Sequence, residues 1–137
     1  MSRRDARKHI FNLVFQTEFN VDVDIKESFD TYIEEYENLK KDETDFVSRE
    51  YRGILANIES IDSYIDKFAV GWNVTRIPKT DLAIMRLGVY EIIFDNEIPD
   101  AVAVNEAVEL AKEFSGDKAP AFVNAVLSKI VKSKGVE

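Results

Sequence analysis

The chain has 137 residues and a mass of 15.7 kDa, a length that suits one domain with a hydrophobic core. Hydrophobic residues make up 45% of it and charged residues 32%, which excludes a globally disordered chain. The absence of cysteine excludes disulfide frameworks, thiolate metal sites and thiol catalysis. No signal peptide or bilayer-spanning stretch is recognisable, so we expect a cytoplasmic protein with no membrane partner.

The net charge of −8 is unevenly distributed along the chain. Residues 1–10 carry four basic side chains and one acidic one, whereas residues 20–66 carry 14 acidic and 5 basic side chains. Indiscriminate binding of nucleic acids is disfavoured, because the field of the whole protein repels phosphates. A polyanion is therefore expected to approach the basic N-terminus.

The first helix is predicted over residues 3–19. Ser2 and Asp5 have the spacing of a capping box, in which each side chain satisfies a backbone N–H at the start of a helix. Apolar residues then recur at spacings of three and four, and they form one stripe: Ala6, Ile10, Phe11, Val14, Phe15 and Phe19.

Two further helices are predicted before residue 71. The second is short, and its stripe consists of Phe29, Tyr32, Ile33, Tyr36 and Leu39. Thr44 is expected to cap a longer third helix, which breaks near Ser60 or Asp62. The sequence Gly-Trp-Asn at 71–73 ends that helical run.

The C-terminal half predicts three more helices. Residues 82–94 are apolar nearly all round, which is typical of a central helix. The next helix ends at Ser115 and Gly116, and the last begins between residues 117 and 120. No segment shows the alternation of a strand, so the predicted class is all-α with six or seven helices.

Catalytic and metal-binding constellations are not found. His9 is the only histidine, which excludes Ser–His catalysis and two-histidine metal sites. Asp22 and Asp24 resemble the start of a calcium loop, but Glu27 occupies the position that requires glycine. The acidic run of Glu34, Glu35 and Glu37 is interpreted as a solvated face. We expect no cofactor and no metal.

One basic cluster is a candidate binding site: Arg3, Arg4, Arg7 and Lys8. Spacings of three and four place these cations side by side on a helix. Guanidinium groups bind phosphates bidentately and stack on unpaired bases, so the cluster suits single-stranded RNA. The alternative is an ordinary solvated helix start.

A second candidate region lies near the C-terminus. Phe114 and Phe122 flank a loop that contains Lys118, and aromatic rings framing a loop can stack bases, although most such rings fill a core. Asn105 and Asn124 interrupt apolar stripes. We interpret these two amides as structural groups that fix how helix ends meet.

Three sequence stretches are distinctive when they occur in order: RRDAR at 3–7, IMRLGVYE at 84–91, and NEAVELAK at 105–112 followed by FVNAVL at 122–127. Together they resemble the NusB family of bacterial transcription antitermination factors. The resemblance extends from the basic N-terminus to the last helix. It implies two small packed helical bundles, a single RNA-binding domain over 1–137 and no enzymatic activity.

The resemblance also implies partners. Family members bind the single-stranded boxA RNA of nascent transcripts, notably from ribosomal RNA operons, together with NusE, a small-subunit ribosomal protein. With other Nus factors they help RNA polymerase to resist termination. An acidic chain with one small basic cluster is expected to bind RNA weakly alone, so we expect a composite site completed by NusE.

The family's functional residues can be placed on this sequence. The arginine-rich motif falls on Arg3, Arg4 and Arg7, but Asp5 stands at a position that is often basic in relatives. The second RNA-facing region corresponds to the loop residues Phe114, Asp117 or Lys118, and Phe122. The position that contacts NusE corresponds to Asp81.

Two other functions remain open at this stage. The first is an acidic helical adaptor that binds proteins without recognising RNA. The second is an isolated NusB-like domain of an RNA cytosine methyltransferase, an enzyme that needs a separate cofactor-binding domain and a catalytic cysteine. The sequence also leaves open a homodimer that covers the arginines, the RNA sequence and the affinity.

Overall fold

The computed structural model describes residues 2–19, 24–35 and 39–134, and every regular element in these ranges is helical. The predicted all-α class is therefore confirmed. In chain order the elements are α1 (Arg3–Thr17), α2 (Ile25–Glu34), α3 (Lys41–Ala56), α4 (Ile58–Phe68), α5 (Lys79–Val89), a π-helical turn (Tyr90–Phe94), α6 (Asp100–Phe114) and α7 (Ala119–Ser133). Asp22, Tyr36 and Glu37 lie outside the described residues.

The chain divides into two compact units, as the predicted pair of helical bundles requires. The N-terminal unit, Met1–Ala56, contains α1 to α3. The C-terminal unit, Asn57–Glu137, contains α4 to α7. The candidate residues on the first helix therefore belong to one unit, and those near the C-terminus belong to the other.

The predicted capping box starts α1. The backbone N–H of Asp5 donates to the hydroxyl of Ser2 at 3.1 Å, and the N–H of Ser2 donates to the Asp5 carboxylate at 3.3 Å. The helix ends at Thr17 rather than at residue 19. Phe19 consequently lies outside the helix and is 60% exposed, so its assignment to the apolar stripe is wrong.

The third helix begins and ends earlier than its sequence predicts. Lys40, not Thr44, is the residue before the first turn, because its N–H donates to the Glu43 carboxylate at 3.2 Å. The hydroxyl of Thr44 instead donates to the carbonyl of Lys40 at 2.9 Å. The predicted break near Ser60 or Asp62 occurs at Asn57, whose backbone leaves the helical region with φ −115° and ψ 20°.

Helix α5 is the centre of the C-terminal unit, as predicted, because every residue from 81 to 92 is buried and α4, α6 and α7 pack around it. A Cβ added at Gly88 would lie 2.6 Å from a methyl carbon of Leu127 in α7, so any larger residue would require the buried Leu127 side chain to shift. The predicted helix does not stay regular to its end. It widens into the π-helical turn, which closes with a hydrogen bond from Asp95 N–H to the carbonyl of Tyr90.

Candidate nucleic-acid interface

The basic cluster of the N-terminal unit is built on an aromatic ring. The guanidinium carbon of Arg3 lies 3.9 Å from the centroid of the Phe46 ring, which is itself 5% exposed. A cation held over a ring face loses less side-chain freedom on binding an anion than a fully solvated one. Arg4 is also exposed, and Lys8 is half-buried. The cluster therefore presents Arg3 to solvent as a preoriented cation, with Arg4 and Lys8 beside it on α1.

Two further guanidinium groups approach the same ring. The guanidinium carbon of Arg7 lies 5.9 Å from the Phe46 centroid, and that of Arg49 in α3 lies 5.6 Å from it. Arg7 is 5% exposed, whereas Arg49 is exposed. Sequence reasoning missed Arg49 because α3 lies far from α1 along the chain. The spacing of three between Phe46 and Arg49 was the available signal.

Two titratable groups border this cluster. Hydrogen bonds from Ser2 hold the pKa of Asp5 below its ordinary value, so its carboxylate stays ionised beside the arginines. Burial lowers the pKa of His9, although the charges of Asp5 and Glu43 act in the opposite direction. Nδ1 of His9 lies 2.7 Å from the hydroxyl of Tyr32 in α2. His9 thus connects two helices and adds no charge to the cluster at neutral pH.

The second candidate region lies in the C-terminal unit, where α6 is followed by α7. Phe114 is 38% exposed, and Lys118 is exposed at the residue before α7. Phe122 is half-buried, and its ring centroid lies 6.2 Å from that of Trp72. Sequence reasoning treated Trp72 only as part of a helix end, so the structure adds an aromatic residue to this region.

Asp81, the residue matched to the NusE contact, lies inside the C-terminal unit. Its carboxylate accepts a hydrogen bond from the hydroxyl of Ser115, and the side chain is 6% exposed. This hydrogen bond connects the first turn of α5 to the residue that follows α6. A role for Asp81 in partner binding stays a prediction, and the structure gives the residue an internal contact.

The interpretation of Asn105 and Asn124 as groups that fix helix ends is wrong. Both side chains are exposed and line an open groove of about 840 Å³ between α6 and α7, together with Val104 and Val108. Asn124 accepts a hydrogen bond from the hydroxyl of Ser128 on its own helix at 3.2 Å. Asn105 and Asn124 therefore lie on the protein surface and not where two helix ends meet.

Within residues 2–19, 24–35 and 39–134, no group of three or more histidine, aspartate or glutamate side chains is arranged to hold a metal ion. The helices of that part of the chain are also too short or too polar to cross a membrane.

These features define an all-helical protein of two units with a cationic surface on its first helix. Comparison with known proteins identifies the family. The model of the NusB family matches residues 4–132, and the chain belongs to that family. The resemblance found in the sequence is therefore confirmed.

Individual relatives agree with this assignment. The transcription antitermination protein NusB of Acetivibrio thermocellus is 40% identical over 134 residues, covering 98% of this chain and 91% of the relative. The structure of T. maritima NusB is 32% identical, with a TM-score of 0.89, and covers 96% of this chain and 92% of that chain. A crystal structure of the antitermination factors NusB and NusE in complex with dsRNA is 29% identical, with a TM-score of 0.86 and 96% coverage of each chain.

Proposed function

We propose that this chain is a transcription antitermination factor that binds boxA-type single-stranded RNA together with NusE and helps RNA polymerase to resist termination, notably in ribosomal RNA operons. The observation that carries the proposal is the cluster of guanidinium groups around Phe46. Family membership supports it, as does the similarity to a protein crystallised with NusE and RNA. The protein acts in the cytoplasm, as a binding module rather than an enzyme.

In the proposed mechanism, the exposed cations of the cluster contact RNA phosphates. Arg3 and Arg49 approach Phe46 from two helices, and Arg4 and Lys8 extend the positive surface along α1. Arg7 is buried and supports this arrangement from within, so its direct contact with RNA stays a prediction. Few phosphate contacts imply modest affinity for the isolated protein.

The proposed role of NusE follows from the charge of the chain. The net charge of −8 disfavours the approach of RNA, and the basic cluster opposes this repulsion locally. A basic partner that binds the acidic residues 20–66 reduces this repulsion and adds its own RNA contacts. We therefore propose that RNA and NusE bind cooperatively, and that the chain acts as one RNA-binding domain over 1–137.

Fluorescence anisotropy of a labelled boxA-type RNA tests the proposal. The protein should prefer this RNA to a scrambled sequence, and NusE should strengthen binding. Arg3→Ala with Arg4→Ala should weaken it, whereas Arg52→Ala in α3 serves as a control, because that guanidinium lies over the ring of Phe29 instead. Equal affinity for both RNA sequences, with and without NusE, would leave the protein-binding adaptor as the better function.

A further inference from the structure

Trp72 is half-exposed in a loop that is otherwise well anchored. The loop connects α4 to α5, and the buried residues Ala69 and Ile77 stand near its two ends. The N–H of Trp72 donates to the carbonyl of Ala69 at 2.9 Å, and Val74 N–H donates to the carboxylate of Asp66 at 2.8 Å. Because the loop is anchored, it holds the indole ring in a defined position, and little conformational entropy of the loop is lost when a ligand binds.

The turn before Trp72 depends on glycine. Gly71 has φ +84°, a left-handed conformation that other residues rarely adopt, and a Cβ there would meet no atom within 4 Å. The glycine is therefore required by the backbone path and not by crowding. This path leaves Trp72 50% exposed, although burial of so large a ring would stabilise the fold.

A second aromatic ring supports the indole. The Phe122 ring in α7 lies at a centroid distance of 6.2 Å and an angle of 59° from it. The loop between α6 and α7 is connected to the start of α5 by the hydrogen bond from Ser115 to Asp81. Phe122 thus lies in the first turn of α7, and the loop before that helix is held to α5, the helix that follows the Trp72 loop.

The charges around this loop favour a polyanion. Residues 67–80 contain Lys67, Arg76 and Lys79 and no acidic residue, and Asp66 and Asp81 border this range, in a chain with a net charge of −8. Lys118 is exposed one turn before Phe122. The backbone N–H of Phe122 donates to the carbonyl of Lys118 at 3.3 Å. Aromatic rings beside cations are the combination with which proteins bind single-stranded nucleic acids.

We propose that Trp72 and Phe122 form a stacking site for one unpaired base of the bound RNA, with the indole as the exposed ring. This inference rests on the proposed function, in which the family resemblance already gives Phe122 an RNA contact, and it adds Trp72 as the exposed ring on which a base stacks. The basic cluster around Phe46 binds phosphates, and the Trp72–Phe122 pair binds a base.

Intrinsic fluorescence tests this inference directly, because Trp72 is the only tryptophan in the chain. Titration of an unlabelled boxA-type RNA should quench the indole emission with the same midpoint as the anisotropy signal of labelled RNA. Unchanged emission at RNA concentrations that saturate the anisotropy signal would overturn the stacking site and leave the proposed function intact. Quenching by NusE alone, but not by RNA, would assign the indole to a protein contact and overturn it as well.

Substitutions separate stacking from simple burial. Trp72→Leu should weaken RNA binding about tenfold, whereas Trp72→Phe should retain most of the affinity, because any aromatic face can stack on a base. Phe19→Leu is a matched control, since Phe19 is another exposed aromatic residue and lies in the N-terminal unit. Circular dichroism and thermal melts verify that each variant is folded.

The results distinguish the two proposals. Wild-type affinity of Trp72→Leu would refute the stacking site alone. Equal losses for Trp72→Leu and Trp72→Phe would also refute it, because a stacked base accepts either ring. Absence of sequence-preferring RNA binding by the wild-type protein, with or without NusE, would refute the proposed function and this inference with it.

Discussion

The two units combine arginine and aromatic residues in opposite ways. The N-terminal unit buries the ring of Phe46 and exposes cations above it, whereas the C-terminal unit exposes the ring of Trp72. In the C-terminal unit the guanidinium group of Arg86 is buried and forms a bidentate ion pair with Asp62, with each hydrogen bond 2.8 Å long. An exposed cation attracts phosphates and an exposed ring stacks on bases. The comparison therefore predicts two kinds of RNA contact that salt affects differently.

Replacing Arg3 and Arg4, which are exposed, together with the half-buried Lys8 should change RNA binding most strongly. The variant Arg3→Ala, Arg4→Ala, Lys8→Ala should bind boxA-type RNA roughly 30- to 100-fold more weakly at about 0.1 M salt, because each lost phosphate contact reduces affinity several-fold. Anisotropy titration measures the loss. A control variant replaces three cations elsewhere, Lys26, Lys112 and Lys129, and changes the net charge equally. Equal losses in both variants would show that net charge, and not the cluster, governs binding.

The buried guanidinium of the C-terminal unit should contribute to stability instead. Arg86→Ala should lower the free energy of unfolding by about 2 kcal/mol, because it leaves the Asp62 carboxylate without its partner in a mostly buried position. Urea denaturation measures this change. Arg86→Met combined with Asp62→Asn should cost less than the sum of the two single changes. A loss of RNA affinity in folded Arg86→Ala would contradict the separation of roles between the two units.

Close helix packing in the C-terminal unit provides a further stability test. Gly88→Ala should lower the free energy of unfolding by about 1–2 kcal/mol, since its methyl group would overlap the fully buried side chain of Leu127. Gly116→Ala is the matched control, because a Cβ at that position meets no atom within 4 Å. Thermal melts of the two variants should differ by several degrees, and coincident melting curves would refute the packing argument.

A smaller effect is expected for the arginine that sequence reasoning missed. Arg49→Ala should weaken RNA binding about fivefold, through loss of one phosphate contact beside Phe46. Arg52→Ala, three residues further along α3, should have little effect. If the two variants bind RNA equally well, the RNA-binding surface around Phe46 does not include Arg49.

The smallest expected effect is a pH dependence in the N-terminal unit. Burial holds the pKa of His9 below 6.5, so the unfolded chain binds a proton more readily than the folded chain. The contribution of neutral His9 to stability is present above about pH 6.5, and it is lost as the pH falls from there through the folded-state pKa. His9→Gln should remove this component from the pH profile of urea denaturation. An identical profile in wild type and variant would contradict the assignment.

The sequence predicted most of the fold because the apolar periodicity and the capping signals agree with the packing. Ser2 and Asp5 form the expected capping box, and residues 81–92 form the expected buried centre. Helix ends were less predictable, since the start of α3 is capped by the Glu43 carboxylate, which accepts from the backbone N–H of Lys40, and this pairing gives a weaker sequence signal than Thr44.

The candidate site was predicted only in part, because its contacts are made between distant segments. The cationic character of α1 is visible in the sequence, but neither the approach of Arg3 to Phe46 in α3 nor the burial of Arg7 is. The pairing of Trp72 with Phe122 joins residues 50 positions apart, and no local pattern encodes it.

The salt dependence of RNA affinity measures directly whether the basic cluster binds RNA phosphates and whether Trp72 binds RNA without a charge contribution. Anisotropy titrations between about 0.05 and 0.3 M salt should give straight lines of log affinity against log salt for the wild type, the Arg3, Arg4, Lys8 triple variant and Trp72→Leu. If the basic cluster binds phosphates, the slope of the triple variant is shallower by about 2, while the Trp72→Leu line is parallel to the wild-type line and lies below it. Parallel lines for the wild type and the triple variant would contradict a phosphate-binding role for the basic cluster.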